Sequence, residues 1–222
     1  MTARPPAVAE QPPRTGAERR ARLATARLYF CTPRQRCPDG VDLVQLRRKG
    51  LEWREEVEEL TILAALARAR NALVSANDRA DVAAFTDVDI LHVGQDDLPP
   101  RLARRIVGPD VLIGLSSHDE RQLEAAAADP DVDYFCVGPV WATPTKAGRP
   151  AVGLDLLRRA VEIAPPFHPD AKPWFVTGGV APETLDDVLG TGARRVVVVR
   201  ALTEADDPDA VGRELAARLA AA

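Results

Sequence analysis

Several things are scarce in this 222-residue chain. It has three cysteines, Cys31, Cys37 and Cys136, and no CxxC pair, which argues against a disulfide framework and a zinc knuckle and points to reduced thiols in a cytoplasmic setting. Basic charge is not in excess: 29 Lys and Arg against 33 Asp and Glu leave a net charge of −4, so no nucleic-acid partner is expected. No apolar run reaches the ~18 residues of a membrane span. The first 20 residues hold four prolines and no apolar core, unlike a signal peptide; residues 1–22 are expected to form a disordered tail and 23–222 a single domain. No GxGxxG follows the first apolar run, which counts against a dinucleotide-binding sheet.

What the chain does have is alternation. Short apolar runs at 27–31, 41–47, 72–78, 89–94, 111–116, 134–138, 173–179 and 194–200 read as strands. Amphipathic Ala- and Arg-rich stretches at about 51–70, 80–85, 98–107, 118–128, 153–163, 181–190 and 208–221 read as helices. Such a pattern implies an α/β chain with a parallel sheet, and eight strands imply a closed (β/α)8 TIM barrel; an open doubly wound sheet is the alternative. One connection departs from it. Between the first two strands stand only Thr32 to Gly40, with Pro33 and Pro38, whereas a parallel crossover normally takes a dozen or more residues and a helix. Nine extended residues span at most ~30 Å, enough to return along a strand. The barrel is therefore expected to lack that helix and to leave an apolar strip for the N-terminal tail, or another subunit of a homo-oligomer, to cover.

In such a barrel the reactive groups gather at the carboxyl ends of the strands. The second strand ends in Gln45, Arg47 and Lys49, which share one face by the period of two. The third ends in Asn77-Asp78 and the fourth runs into Gly94-Gln95-Asp96-Asp97. Neighbouring strands lie ~4.8 Å apart, so Asp78 and Asp97 could come close, and at an effective dielectric near 20 two carboxylates ~4.5 Å apart repel by about 3–4 kcal/mol. A divalent cation reverses that sign, and oxygen ligands favour Mg²⁺ over zinc. The fifth strand ends in Ser116-Ser117-His118; with no third member in view, a hydrolase triad is not expected. After the sixth strand, GPVWATPTKAGRP (138–150) places Thr143, Thr145 and Lys146 in a proline-stiffened loop suited to an anion. Gly178-Gly179, with a helix expected from about Ala181, and Arg200 after the eighth strand match the phosphate site common in these barrels. The site thus has two anion-binding halves, one with the charge for a diphosphate and one suited to a single phosphate.

The segments VQLRRKG, NDRADVA, LHVGQDDLP, IGLSSHD, DYFCVGPVWATPTKAGRP, GGV and VVVVRALTEADDP resemble, in order from about residue 27, the thiamine-phosphate synthase family. That resemblance implies Mg²⁺-dependent transfer of a hydroxymethylpyrimidine group from its diphosphate to a thiazole phosphate. It places Gln45, Arg47, Lys49, Asn77 and Lys146 on the pyrimidine diphosphate, Asp78 and Asp97 on the metal, Ser116 at the pyrimidine or pyrophosphate, and Thr143, Thr145 and Gly179 at the thiazole phosphate. Lys146, Ser116 and Arg47 are the expected catalytic groups. Besides the short first connection, Arg200 stands where many members have serine, and Arg48 replaces an acidic residue and adds charge near the site. Two rivals remain from other classes: a thiazole tautomerase on the same barrel, using a histidine, and a non-catalytic sensor of thiamine precursors.

Overall fold

A computed structural model describes residues 14–142 and 150–222. Eight parallel strands close into a barrel in chain order: β1 (Leu28–Thr32), β2 (Leu43–Leu46), β3 (Leu73–Asn77), β4 (Ile90–Val93), β5 (Leu112–Ser117), β6 (Tyr134–Val137), β7 (Trp174–Val176) and β8 (Val196–Val198). β1 pairs with β8 as well as β2, which closes the ring. Around it run α2 (Trp53–Ala69), α3 (Ala80–Ala84), α4 (Pro100–Val107), α5 (Glu120–Ala128), α6 (Asp155–Ile163), α7 (Leu185–Gly190), α8 (Arg200–Thr203) and α9 (Pro208–Ala221). Among the described residues no helix is long and apolar enough to cross a membrane.

The period of two along each strand sorts the apolar residues into two cores. Tyr29, Leu43, Leu73, Ile90, Leu112, Tyr134, Phe175 and Val197 fill the barrel interior. Leu28, Phe30, Val44, Val74, Leu91 and their counterparts face the helices. Gly114 is the concession that lets the interior close: a Cβ there would lie 2.2 Å from the Tyr134 ring, and that ring packs edge-on against Phe175 and Tyr29.

The connection from β1 to β2 contains no helix, as its length predicts, and the strands are parallel. The apolar strip expected to lie bare does not. Leu28, Phe30, Val44 and Leu46 are at most 2% exposed, packed in one cluster with Cys37 and Val41 of the connection and Leu215 and Leu219 of α9. Gly40, in the left-handed region at φ 79°, and Gly212 of α9 meet backbone to backbone, with no room for a Cβ on either. Asp209 and Arg213 of α9 then bond the Asp39 amide and carboxylate at 2.8 Å. The last helix takes the place of the missing one, which removes the reason for expecting a tail or a second subunit there.

Nor are residues 16–22 a disordered tail. Thr15 and Glu18 form a capping box that starts α1 (Gly16–Thr25), and α1 lies across the amino-terminal end of the barrel; residues 1–13 fall outside the described residues. Its seat is built from the residues that precede the even strands. Asp42, Asp89 and Asp133 each accept a backbone N–H from the neighbouring odd strand (Leu28, Val74 and Ile113). With the remaining carboxylate positions they pair Arg22, Arg19 and Arg20 of α1 at 2.8, 3.1 and 3.1 Å. Before β8 the sign inverts: Arg195 donates to the Ala24 and Ala26 carbonyls at the end of α1, where the helix dipole is negative. Leu23 caps the interior core from below.

Asp89 has two arginines, Arg14 and Arg19, on a carboxylate 1% exposed. Removing one partner of a buried pair strands the other charge. Asp89→Ala should therefore lower unfolding stability by about 3 kcal/mol, whereas Arg20→Ala, which removes a half-exposed partner, should cost under ~1 kcal/mol. Denaturant titration of both variants checks the ranking; equal losses would contradict this account of the seat.

Candidate active site

The carboxyl ends of the strands surround a cavity of about 740 Å³, a size that suits a small-molecule site. Gln45, Arg47, Lys49, Asn77, Asp78, Asp97, Ser116, Gly179 and Arg200 all line it. Thr143, Thr145 and Lys146 lie outside the described residues. Arg48 does not line the cavity: just past the end of β2 it forms an ion pair with Glu59 of α2. Its charge is spent on the helix layer rather than added to the site.

On the diphosphate side, Gln45 is 3% exposed. Its Oε1 accepts from Cys31 Sγ at 3.3 Å, while Nε2 is buried with no partner among the described residues, an arrangement that costs free energy until an acceptor arrives. Asp78 follows β3 in the left-handed region, at φ 62°, with its N–H on the His92 carbonyl at 2.9 Å. Burial, then the hydrogen bond and charge of Asp97, push its carboxyl up to about 6, against the pull of Asn77 and Arg47. Asp97 is anchored in turn by the Gly94 N–H at 2.7 Å. A carboxyl whose ionisation is hindered by a neighbouring carboxylate marks a place for a cation. Among the described residues no group of three or more His, Cys, Asp or Glu gathers as a metal cage; two carboxylates alone suit a hard cation that takes its remaining oxygens from other donors.

The floor of the cavity holds residues that strand-end reasoning passed over. His92, inward on β4, bridges Tyr134 (Nδ1 to OH, 2.9 Å) and Ser116 (Nε2 to Oγ, 3.0 Å). Gln95 donates to the Ser116 carbonyl at 2.6 Å. Burial pushes the Tyr134 phenol well above its ordinary range, so it stays a neutral partner for the imidazole. The signal for His92 was present: two residues on from Ile90, it is a polar group on an interior face, which needs a reason. His118 instead bonds the Gly138 carbonyl.

The single-phosphate side is a pair of glycines at φ 94° and 79°. A Cβ on Gly178 would strike Pro139 at 2.4 Å, and one on Gly179 would stand 3.0 Å from Trp141. Val140 and Trp141 donate to the Thr177 and Gly178 carbonyls, which ties the start of the 138–150 loop to this bend. The helix expected from about Ala181 starts instead at Leu185. Thr184 delays it by accepting the Ala181 N–H at 3.0 Å and donating to the Gly179 carbonyl at 3.0 Å, so the glycine bend, not a helix terminus, faces the cavity. Arg200 opens α8 beside it.

A sequence model of the family described as thiamine monophosphate synthase matches residues 24–202. The thiamine-phosphate synthase of Acidothermus cellulolyticus is 53% identical over 91% of this chain and 99% of its own length; that of Streptomyces avermitilis is 51% identical over 90% and 96%. Among solved structures, a thiamine phosphate pyrophosphorylase from Pyrococcus furiosus superposes with a TM-score of 0.75 at 27% identity, covering 90% of this chain and 98% of that one. This chain belongs to the thiamine monophosphate synthase family.

Proposed function

We propose that the chain joins hydroxymethylpyrimidine diphosphate to a thiazole phosphate, releasing thiamine phosphate and pyrophosphate. The observation that carries this reading is the cavity itself: cations Arg47 and Lys49, the carboxylates Asp78 and Asp97, and the Gly178-Gly179 bend with Arg200 all open onto one space. Two phosphorylated substrates meeting there need that much charge, and one would not.

The reaction breaks the bond between the pyrimidine methylene and the diphosphate oxygen and forms a bond to the thiazole nitrogen. The electron-rich aminopyrimidine stabilises the cation at the methylene, so leaving-group departure can run ahead of attack. No strong base is required, and the work is electrostatic and positional. Arg47 and Lys49 hold the diphosphate and meet the negative charge that grows on it. Asp78 and Asp97 are the residues that would hold Mg²⁺, which when bound adds positive charge at the leaving group. Asn77, beside Asp78, and Ser116, held by His92, orient the pyrimidine end. Gly179 and Arg200 take the thiazole phosphate. Lys146, from the loop at 138–150, completes the diphosphate contacts in this reading, and Thr143 and Thr145 those of the thiazole phosphate. On a tautomerase reading the diphosphate groups would have no role, and His92 on the cavity floor has both ring nitrogens engaged by Tyr134 and Ser116.

Incubation with both substrates and Mg²⁺ should release pyrophosphate and thiamine phosphate in equal amounts; turnover without metal or diphosphate would point to a tautomerase, and no turnover to a sensor. Asp97→Asn keeps the shape but removes a charge, and should lower activity at limiting Mg²⁺ by at least about tenfold; wild-type turnover would mean the carboxylate pair is not the metal site. Arg200→Ser should raise KM for the thiazole phosphate and leave that for the pyrimidine diphosphate within about twofold, since charge at the glycine bend acts on one substrate. Equal changes in both would remove Arg200 from the thiazole side.

A further inference from the structure

Cys31 and Gln45 are register partners on β1 and β2, so their side chains enter the barrel at the same level. Both line the cavity floor and both are buried, at 6% and 3% exposure. The thiol lies 3.3 Å from Gln45 Oε1, and a thiol hydrogen is a donor, so the amide oxygen is the end it selects. The opposite end, Nε2, is then turned away from Cys31 with two hydrogens to give, and it has no acceptor among the described residues.

We propose that Cys31 is a positioning residue: its S–H fixes the amide of Gln45 so that Nε2 presents donors to an acceptor atom of the first substrate. This rests on the reading that Gln45 meets the pyrimidine diphosphate. Without the thiol, Oε1 and Nε2 are nearly isosteric and the amide can turn over, offering a lone pair where a donor is required. Substrate binding must then select the productive orientation, and the cost falls on KM for that one substrate. Chemical turnover is untouched once the complex has formed, because the thiol never reaches the reacting atoms. The same logic sets a preference: the site favours an acceptor such as a ring nitrogen or phosphate oxygen at that point over a donor such as an amine.

The test compares Cys31→Ala, Cys31→Ser and Gln45→Ala with the full-length protein in steady-state kinetics for each substrate, with melting temperatures measured alongside. Loss of one neutral hydrogen bond predicts a rise in KM for the pyrimidine diphosphate of about threefold to tenfold in Cys31→Ala, with KM for the thiazole phosphate and kcat unchanged. Cys31→Ser, which restores a donor, should return KM to within about twofold of wild type. If Gln45→Ala raises that KM and Cys31→Ala does not, the positioning role is wrong and the reading of Gln45 stands. If Gln45→Ala has no effect, the reading of Gln45 fails first and the role of Cys31 with it. A rise shared by both substrates that serine does not rescue would make Cys31 a packing residue only.

Discussion

Asp78 and Asp97 line the same cavity, and the chemistry of the site follows from what that pair requires. Repulsion between neighbouring carboxylates is relieved by protonation of one or by a cation between them. Burial and the neighbouring Asp97 raise the Asp78 carboxyl to about 6, so protonation relieves the pair only near and below that pH. A cation between them would relieve the pair at neutral pH as well. The neighbouring Arg47 and Lys49 fit the same demand from the other side, since a diphosphate brings more negative charge than one divalent ion cancels. The site therefore suits charges that arrive together.

Holding such groups in place falls to the scaffold. The backbone of Asp78 sits at positive φ, a conformation that costs free energy and persists only where its surroundings fix it; here the His92 carbonyl does so. Beneath, Tyr134 fills the space that Gly114 leaves and steadies His92. Further down, α1 and the aspartates before β2, β4 and β6 close the far end of the barrel. Charges are thus concentrated at both ends of the barrel and used differently: at the amino-terminal end Asp42, Asp89 and Asp133 each pair with an arginine, and at the carboxyl-terminal end Arg47, Lys49, Asp78 and Asp97 face the cavity.

Most of the barrel was legible because each strand and outer helix carries its own period. β3, β4 and β5 and helices α2 and α9 fall within a residue or two of the apolar runs that mark them. What the period could not show was partnership between distant segments. α9 covers the strip beside the short connection through Gly40 and Gly212, 172 positions apart, and neither glycine announces the other. α1 was hidden by the prolines around it, although a signal existed: Val-Asp recurs at 41–42, 88–89 and 132–133, each time just before an inward strand, and Arg19, Arg20 and Arg22 are its counterparts. In the site, residues at strand ends were found by their charge, whereas His92 was missed because it lies within a strand and its hydrogen bonds run to β5 and β6.

The central claim is that the aspartate pair gives the cavity its affinity for a metal-bound diphosphate. Calorimetric titration with pyrophosphate, with and without Mg²⁺, measures it directly on the wild type and on a double variant, Asp78→Ala with Asp97→Ala. Mg²⁺ should tighten pyrophosphate binding to the wild type by at least about tenfold, roughly 1.4 kcal/mol, and should have little effect on the double variant. Identical metal dependence in the two proteins would contradict the account.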